Sequence, residues 1–169
     1  MMRTFAMIIL ALMFTFSAVA APEIPEAVRT LVPETAAVTD AEYDDGVWEY
    51  DFRDGDMRYE VIYKGNAVVA LTVRNKVMKP AATNLLTAET AVMNLTGTVL
   101  YAQAEKEDGG WVWKVIVQNE KDVVEYELHA ETGEVIESET YFNATVTLPD
   151  TYRSLDLEWD DGRIEVDRD

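Results

Sequence analysis

The chain has 169 residues, 49 % of them hydrophobic, and sets 32 Asp and Glu against 14 Lys and Arg with no cysteine. The missing cysteine excludes a disulfide framework, a thiol nucleophile and a lipid-modified N-terminal cysteine, so an exported form must be held by its core alone. A formal charge of −18 makes nucleic acid and anionic lipid heads poor partners and suits cations or basic protein surfaces.

From the N-terminus, residues 1–20 read as a cleaved signal peptide. Arg3 supplies a short positive region, Phe5 to Phe16 is apolar apart from Thr15, and Ala18-Val19-Ala20 offers small residues for cleavage. The apolar run falls short of the roughly 20 residues a spanning helix needs, so no integral membrane segment is expected after cleavage. The implied address is periplasmic or secreted, and the lack of cysteine argues against a lipoprotein.

An acidic, alternating motif that runs into an Asp-Gly turn then occurs three times. It appears as Asp40-Ala41-Glu42-Tyr43-Asp44-Asp45-Gly46, loosely as Gln103 to Gly109, and again as Asp156-Leu157-Glu158-Trp159-Asp160-Asp161-Gly162. Setting the first two in register brings Trp48 onto Trp111, Tyr50 onto Trp113 and Phe52 onto Val115, so the chain reads as a duplication with a partial third copy.

The first copy, 21–75, opens with a predicted short helix. Ile24, Ala27, Val28, Leu31 and Val32 fall on one helical face, and Pro33 stops the run. Strands follow: the acidic motif, then Trp48, Tyr50 and Phe52 alternating with Glu49, Asp51 and Arg53, a turn at Arg53 to Asp56, a strand through Tyr59 to Tyr63, and a last one over Ala67 to Val73. Residues 76–85 read as a linker. The second copy, 86–142, repeats the pattern, with Thr87 as helix N-cap and strands over Trp111–Val117, Val124–Ala130 and Val135–Phe142. The acidic extension 143–169 carries a hairpin expected to pair onto a sheet edge, since an isolated hairpin is marginal in water. The expected class is α+β: a duplicated unit of one short helix packed on a four-stranded antiparallel sheet, plus that C-terminal β-hairpin.

The charge is unevenly placed. From Val61 to Ala88 there is no acid, whereas Lys64, Arg74, Lys76 and Lys79 are basic. This reads either as a junction set against acidic neighbours or as a docking face for a polar molecule.

The stretch Leu86 to Ser138 resembles a PepSY domain. The resemblance rests on Leu86-Thr87-Ala88-Glu89, Thr96-Gly97-Thr98-Val99, Glu107-Asp108-Gly109-Gly110-Trp111, Tyr126-Glu127-Leu128 and, above all, Thr132-Gly133-Glu134-Val135-Ile136. The first copy looks like a more divergent member, and the tandem is similar to the β-lactamase-inhibitor-like repeat. The resemblance implies an exported, non-catalytic protein that binds another envelope or secreted protein, such as a peptidase it inhibits or regulates. It carries over no catalytic residues.

Candidate sites remain. The sheet face opposite the helices, with Glu49, Asp51, Lys114, Glu125 and Glu127, is the expected protein-contact surface. The alternative function is divalent-cation binding in the periplasm. Asp40, Glu42, Asp44, Asp156, Glu158 and Asp160 are oxygen donors suited to Ca²⁺ as a cofactor, yet their glycines stand at the seventh position of the motif where an EF-hand has its glycine sixth. Read blandly, they are a solvated strand face. His129, the only histidine, shares a strand face with Glu125, Glu127 and Glu131 as a weak metal-ligand set. No Ser-centred elbow or phosphate loop is present, so no enzymatic activity is expected.

Overall fold

The computed structural model describes residues 23–107, 109–148, 155–160 and 163–168; the expected signal segment lies outside the described residues. Period-two alternation dominates what is described. Strands β1 (Ala37–Asp44), β2 (Val47–Asp54), β3 (Met57–Lys64) and β4 (Ala67–Asn75) form one antiparallel meander. Its tight turns follow from residues that accept positive φ: Asp45 and Gly46 at 44° and 86°, Gly65 and Asn66 at 58° and 67°. Two consecutive residues of this kind make the turn whose twist matches the flanking strands. Strands β5 (Thr98–Glu107), β6 (Gly110–Gln118), β7 (Val123–His129) and β8 (Val135–Tyr141) form a second meander.

The two meanders are not separate units. Strand β4 pairs with β8 from Ala70↔Tyr141 to Arg74↔Glu137, giving one eight-stranded antiparallel sheet in the order β1-β2-β3-β4-β8-β7-β6-β5. That pairing satisfies backbone groups that two free edge strands would leave open. The expected α+β class, two helix-on-sheet units, is therefore overturned: strand makes up more than half of the described residues, and the helices are two short turns. The helices α1 (Glu26–Arg29) and α2 (Ala88–Val92) are single turns. Pro25 and Pro33 confine the first. The second has its Thr87 cap, but β-branched Thr90 and Val92 follow, and a segment this short cannot nucleate a longer helix.

Alternation assigns the core to two faces. Val28 of α1 packs with Tyr50, Phe52 and Val61, and Ala91 of α2 with Trp113, Val115, Val117 and Leu128. On the opposite face Tyr101, Ile116, Val123, Ala70 and Tyr141 gather around Leu155 and Leu157. Those leucines come from the C-terminal hairpin, β9 (Leu155–Asp160) with β10 (Arg163–Arg168), which pairs only with itself. It lies across the sheet rather than adding to an edge, contrary to the expectation. The Tyr141 hydroxyl donates to the Leu157 carbonyl at 2.7 Å, and the Leu157 N–H donates to the Glu125 carboxylate at 2.9 Å. Burying two leucines on an apolar patch outweighs the hydrogen bonds an edge would offer.

The expected linker 76–85 is also docked. Ala81 exchanges backbone hydrogen bonds with Trp111 at 2.9 and 2.6 Å, beyond the end of β7, and is buried in the α2 core. Thr83 gives its N–H and hydroxyl to the Glu131 carboxylate at 3.0 and 2.6 Å.

Candidate protein-interaction face

The hairpin covers one end of the face that points away from α1 and α2. The rest carries charge, and cross-strand register sets that charge in rows. One row runs Arg53, Arg58, Arg74, Glu137, Glu127, Lys114 from β2 to β6; the next, two residues along each strand, runs Asp40, Asp51, Glu60, Thr72, Glu139, Glu125. Directly opposed side chains interact most strongly, and like charges so placed repel. Glu127 opposes Glu137, Glu125 opposes Glu139, and Asp51 stands between Asp40 and Glu60.

Ion pairs offset part of this. Arg58 grips Asp51 through Nε and Nη2, at 2.9 and 2.8 Å, and reaches Glu60 at 3.7 Å. The planar fork suits a carboxylate. Arg74 pairs with Glu137 across the β4–β8 seam, so at this position the basic stretch after Val61 does meet an acidic neighbour. Lys114, nearly buried, reaches Glu107 at 3.4 Å. Burial, with Glu107 and Glu137 nearby, pushes the Glu127 carboxyl up to about 7 despite Lys114 and Arg74. Burial and the charges of Glu49 and Asp51 raise Glu60, and burial with Asp51 and Glu42 raises Glu49.

The five expected contact residues Glu49, Asp51, Lys114, Glu125 and Glu127 all lie on this face, although the hairpin backbone occupies one Glu125 oxygen. Sequence reading missed Arg58, Glu60 and Glu137, and it named Arg53 only as part of the charged alternation and Arg74 only as part of the basic stretch. Alternation alone marks them as outward; their alignment depends on turn lengths and on the β4–β8 register. The cation candidates are dispersed. Asp40, Glu42 and Asp44 share a face of β1, with the Asp40 carboxylate accepting the Ala41 N–H at 2.8 Å. Asp156, Glu158 and Asp160 sit on β9 in the other sheet, and their side chains lie outside the described residues. His129 Nδ1 lies 3.3 Å from the Thr132 hydroxyl, and Glu131 is engaged by Thr83. Among the described residues no group of three His, Asp or Glu side chains is placed to hold a metal ion.

The family match is confined to one part of this architecture. The family model described as peptidase propeptide and YPEB domain matches residues 85–139, from just before α2 into β8. Residues 85–139 are a PepSY domain. The PepSY segment supplies Lys114, Glu127 and Glu137 to the charged row, whereas Arg53, Arg58 and Arg74 come from strands outside it. Among solved structures, a cysteine-rich secretory protein from Staphylococcus aureus subsp. aureus Mu50 is similar, with 14 % identity and a TM-score of 0.43, over 69 % of this chain and 44 % of that one. The chain thus spans under half of that protein. A putative lipoprotein from Clostridium difficile 630 is similar at 15 % identity and a TM-score of 0.32, over 63 % of this chain and 83 % of its own. No curated protein matches the chain. No helix among the described residues is long and apolar enough to cross a membrane.

Proposed function

We propose that this PepSY-domain protein is exported and binds a peptidase, regulating it by occupying its surface rather than by chemistry of its own, and that it docks by the charged sheet face. The PepSY match supports a propeptide-like, inhibitory role. The observation that carries the geometric part is the opposition of acids on that face: Glu127 faces Glu137, Glu125 faces Glu139, and Asp51 stands between Asp40 and Glu60. A basic protein surface laid across these rows relieves that repulsion, so charge complementarity sets both orientation and encounter rate.

The test uses the mature chain as bait on the native envelope and secreted fractions, followed by assay of each captured peptidase against increasing amounts of the chain. The expected result is capture of a peptidase whose activity falls in a saturable way. A Glu49→Lys/Glu60→Lys variant that keeps its circular dichroism spectrum should lose at least about tenfold in affinity, the usual scale for breaking desolvated charge contacts. If no captured peptidase changes activity, the regulatory reading fails.

A further inference from the structure

The basic end of the same face has a feature that peptidase binding in general does not explain. Arg53, Arg58 and Arg74 stand directly opposite one another on three adjacent strands of a strongly acidic protein. Three like charges in register cost stability. Asp51 holds Arg58 and Glu137 holds Arg74, but Arg53 only donates its Nε to the Gly55 carbonyl at 3.1 Å, and Lys76 makes no ion pair among the described residues. Arg53, Arg58 and Lys76 converge with Thr39, Asp40 and Asp51 on a cleft of about 530 Å³. Arg58 and Lys76 also line a smaller neighbouring cavity that leads to Arg74 and Glu137.

We propose that this cleft binds a carboxylate, presented by an extended peptide segment that carries a cation two residues from it. The inference rests on the face being a protein-binding surface, and it names the chemistry of one contact there. The carboxylate is called for by the two exposed cations that line the cleft, Arg53 and Lys76, which have no ion-pair partner among the described residues. The accompanying cation follows from the next row: Asp40, Asp51 and Glu60 lie beside the arginines, displaced by two residues along each strand. Same-face positions two apart on a strand are about 6.8 Å apart, whether on this sheet or on an extended peptide laid along it. A polyanion is repelled by the molecule as a whole, so the ligand must be locally zwitterionic.

The experiment titrates the full isotope-labelled chain with an acetylated, amidated Thr-Glu-Thr-Lys-Thr peptide at millimolar concentration, following arginine Nε–H and backbone signals by NMR. Saturable shifts at Arg53, Arg58 and Lys76 are expected, lost when the peptide Glu is replaced by Gln and weakened when its Lys is. An Arg53→Gln/Lys76→Gln variant, altered only at exposed side chains that make no ion pair among the described residues, should bind about fivefold more weakly, the scale of about 1 kcal/mol for an exposed charge contact. A second peptide, lacking Glu and ending in a free carboxylate, separates the two sources of that group. Shifts with it assign a chain terminus, and shifts with the capped peptide alone assign an acidic side chain. Absence of shifts with both peptides, or unchanged binding to the double variant, overturns the cleft. Peptide binding without any regulated peptidase would keep the cleft and remove the regulatory reading; regulation without peptide binding would do the reverse.

Discussion

Glu127 sets the pH behaviour of the charged face. It stands between Lys114 and Glu137, with Glu107 adding like charge, and its carboxyl is held near 7 in the fold. The folded state therefore binds the proton more tightly than the unfolded state, whose value is near 4.5. Ionising Glu127 opposes folding, so its contribution is most favourable below about pH 4.5 and is lost as pH rises through about 7. Glu127→Gln should leave the melting temperature nearly unchanged at pH 4.5 and raise it relative to the parent at pH 8, measured as the difference between two pH series. A constant difference across that window would contradict this placement. A second residue acts through backbone contact. A Cβ on Gly110 would lie 2.2 Å from the Ala81 carbonyl oxygen, where the 76–85 segment straps onto β6. Gly110→Ala should cost about 1–3 kcal/mol in urea unfolding, the range for forced overpacking. Gly110 was legible as part of an Asp-Gly-Gly turn. Its need for close approach was not, because the partner lies in a segment whose Pro80 and polar residues read as linker.

The C-terminal hairpin belongs at the scale of elements. Leu155 and Leu157 alternate as a half-buried strand should, and that much was readable. Its docking place was not, because Ala70, Tyr101, Ile116 and Tyr141 come from four different strands and form a patch only once β4 to β8 are aligned. Leu157→Ala should destabilise by about 2–4 kcal/mol through the cavity it leaves, and amide exchange in β9 and β10 should quicken more than in β2 and β3. Tyr141→Phe removes only the hydroxyl bond to Leu157 and should cost about 1 kcal/mol. Uniform exchange changes would show that the hairpin is not held by this contact. The helices were over-read for a related reason. The apolar stripe Ile24 to Val32 has helical spacing, yet Ile24 and Val32 reach the same core from outside a single turn. Spacing alone does not distinguish the two arrangements.

For the whole molecule, the strands and turns could be read from alternation and from Asp-Gly and Gly-Asn pairs, but the single sheet could not. The β4–β8 seam has no local signal beyond the basic run that includes Arg74, which finds Glu137 63 positions away. That seam creates the continuous charged face, with arginines from one meander and glutamates from the PepSY segment of the other. Carbodiimide labelling of carboxylates in the complex with a captured peptidase tests the role of this face most directly. Asp40, Glu49 and Glu60 on the open face should be shielded on binding, while Glu26 and Glu89 on the helix side stay as reactive as in the free chain. Shielding of Glu26 and Glu89 with Asp40, Glu49 and Glu60 left reactive would place the interface on the other side of the sheet and contradict the account.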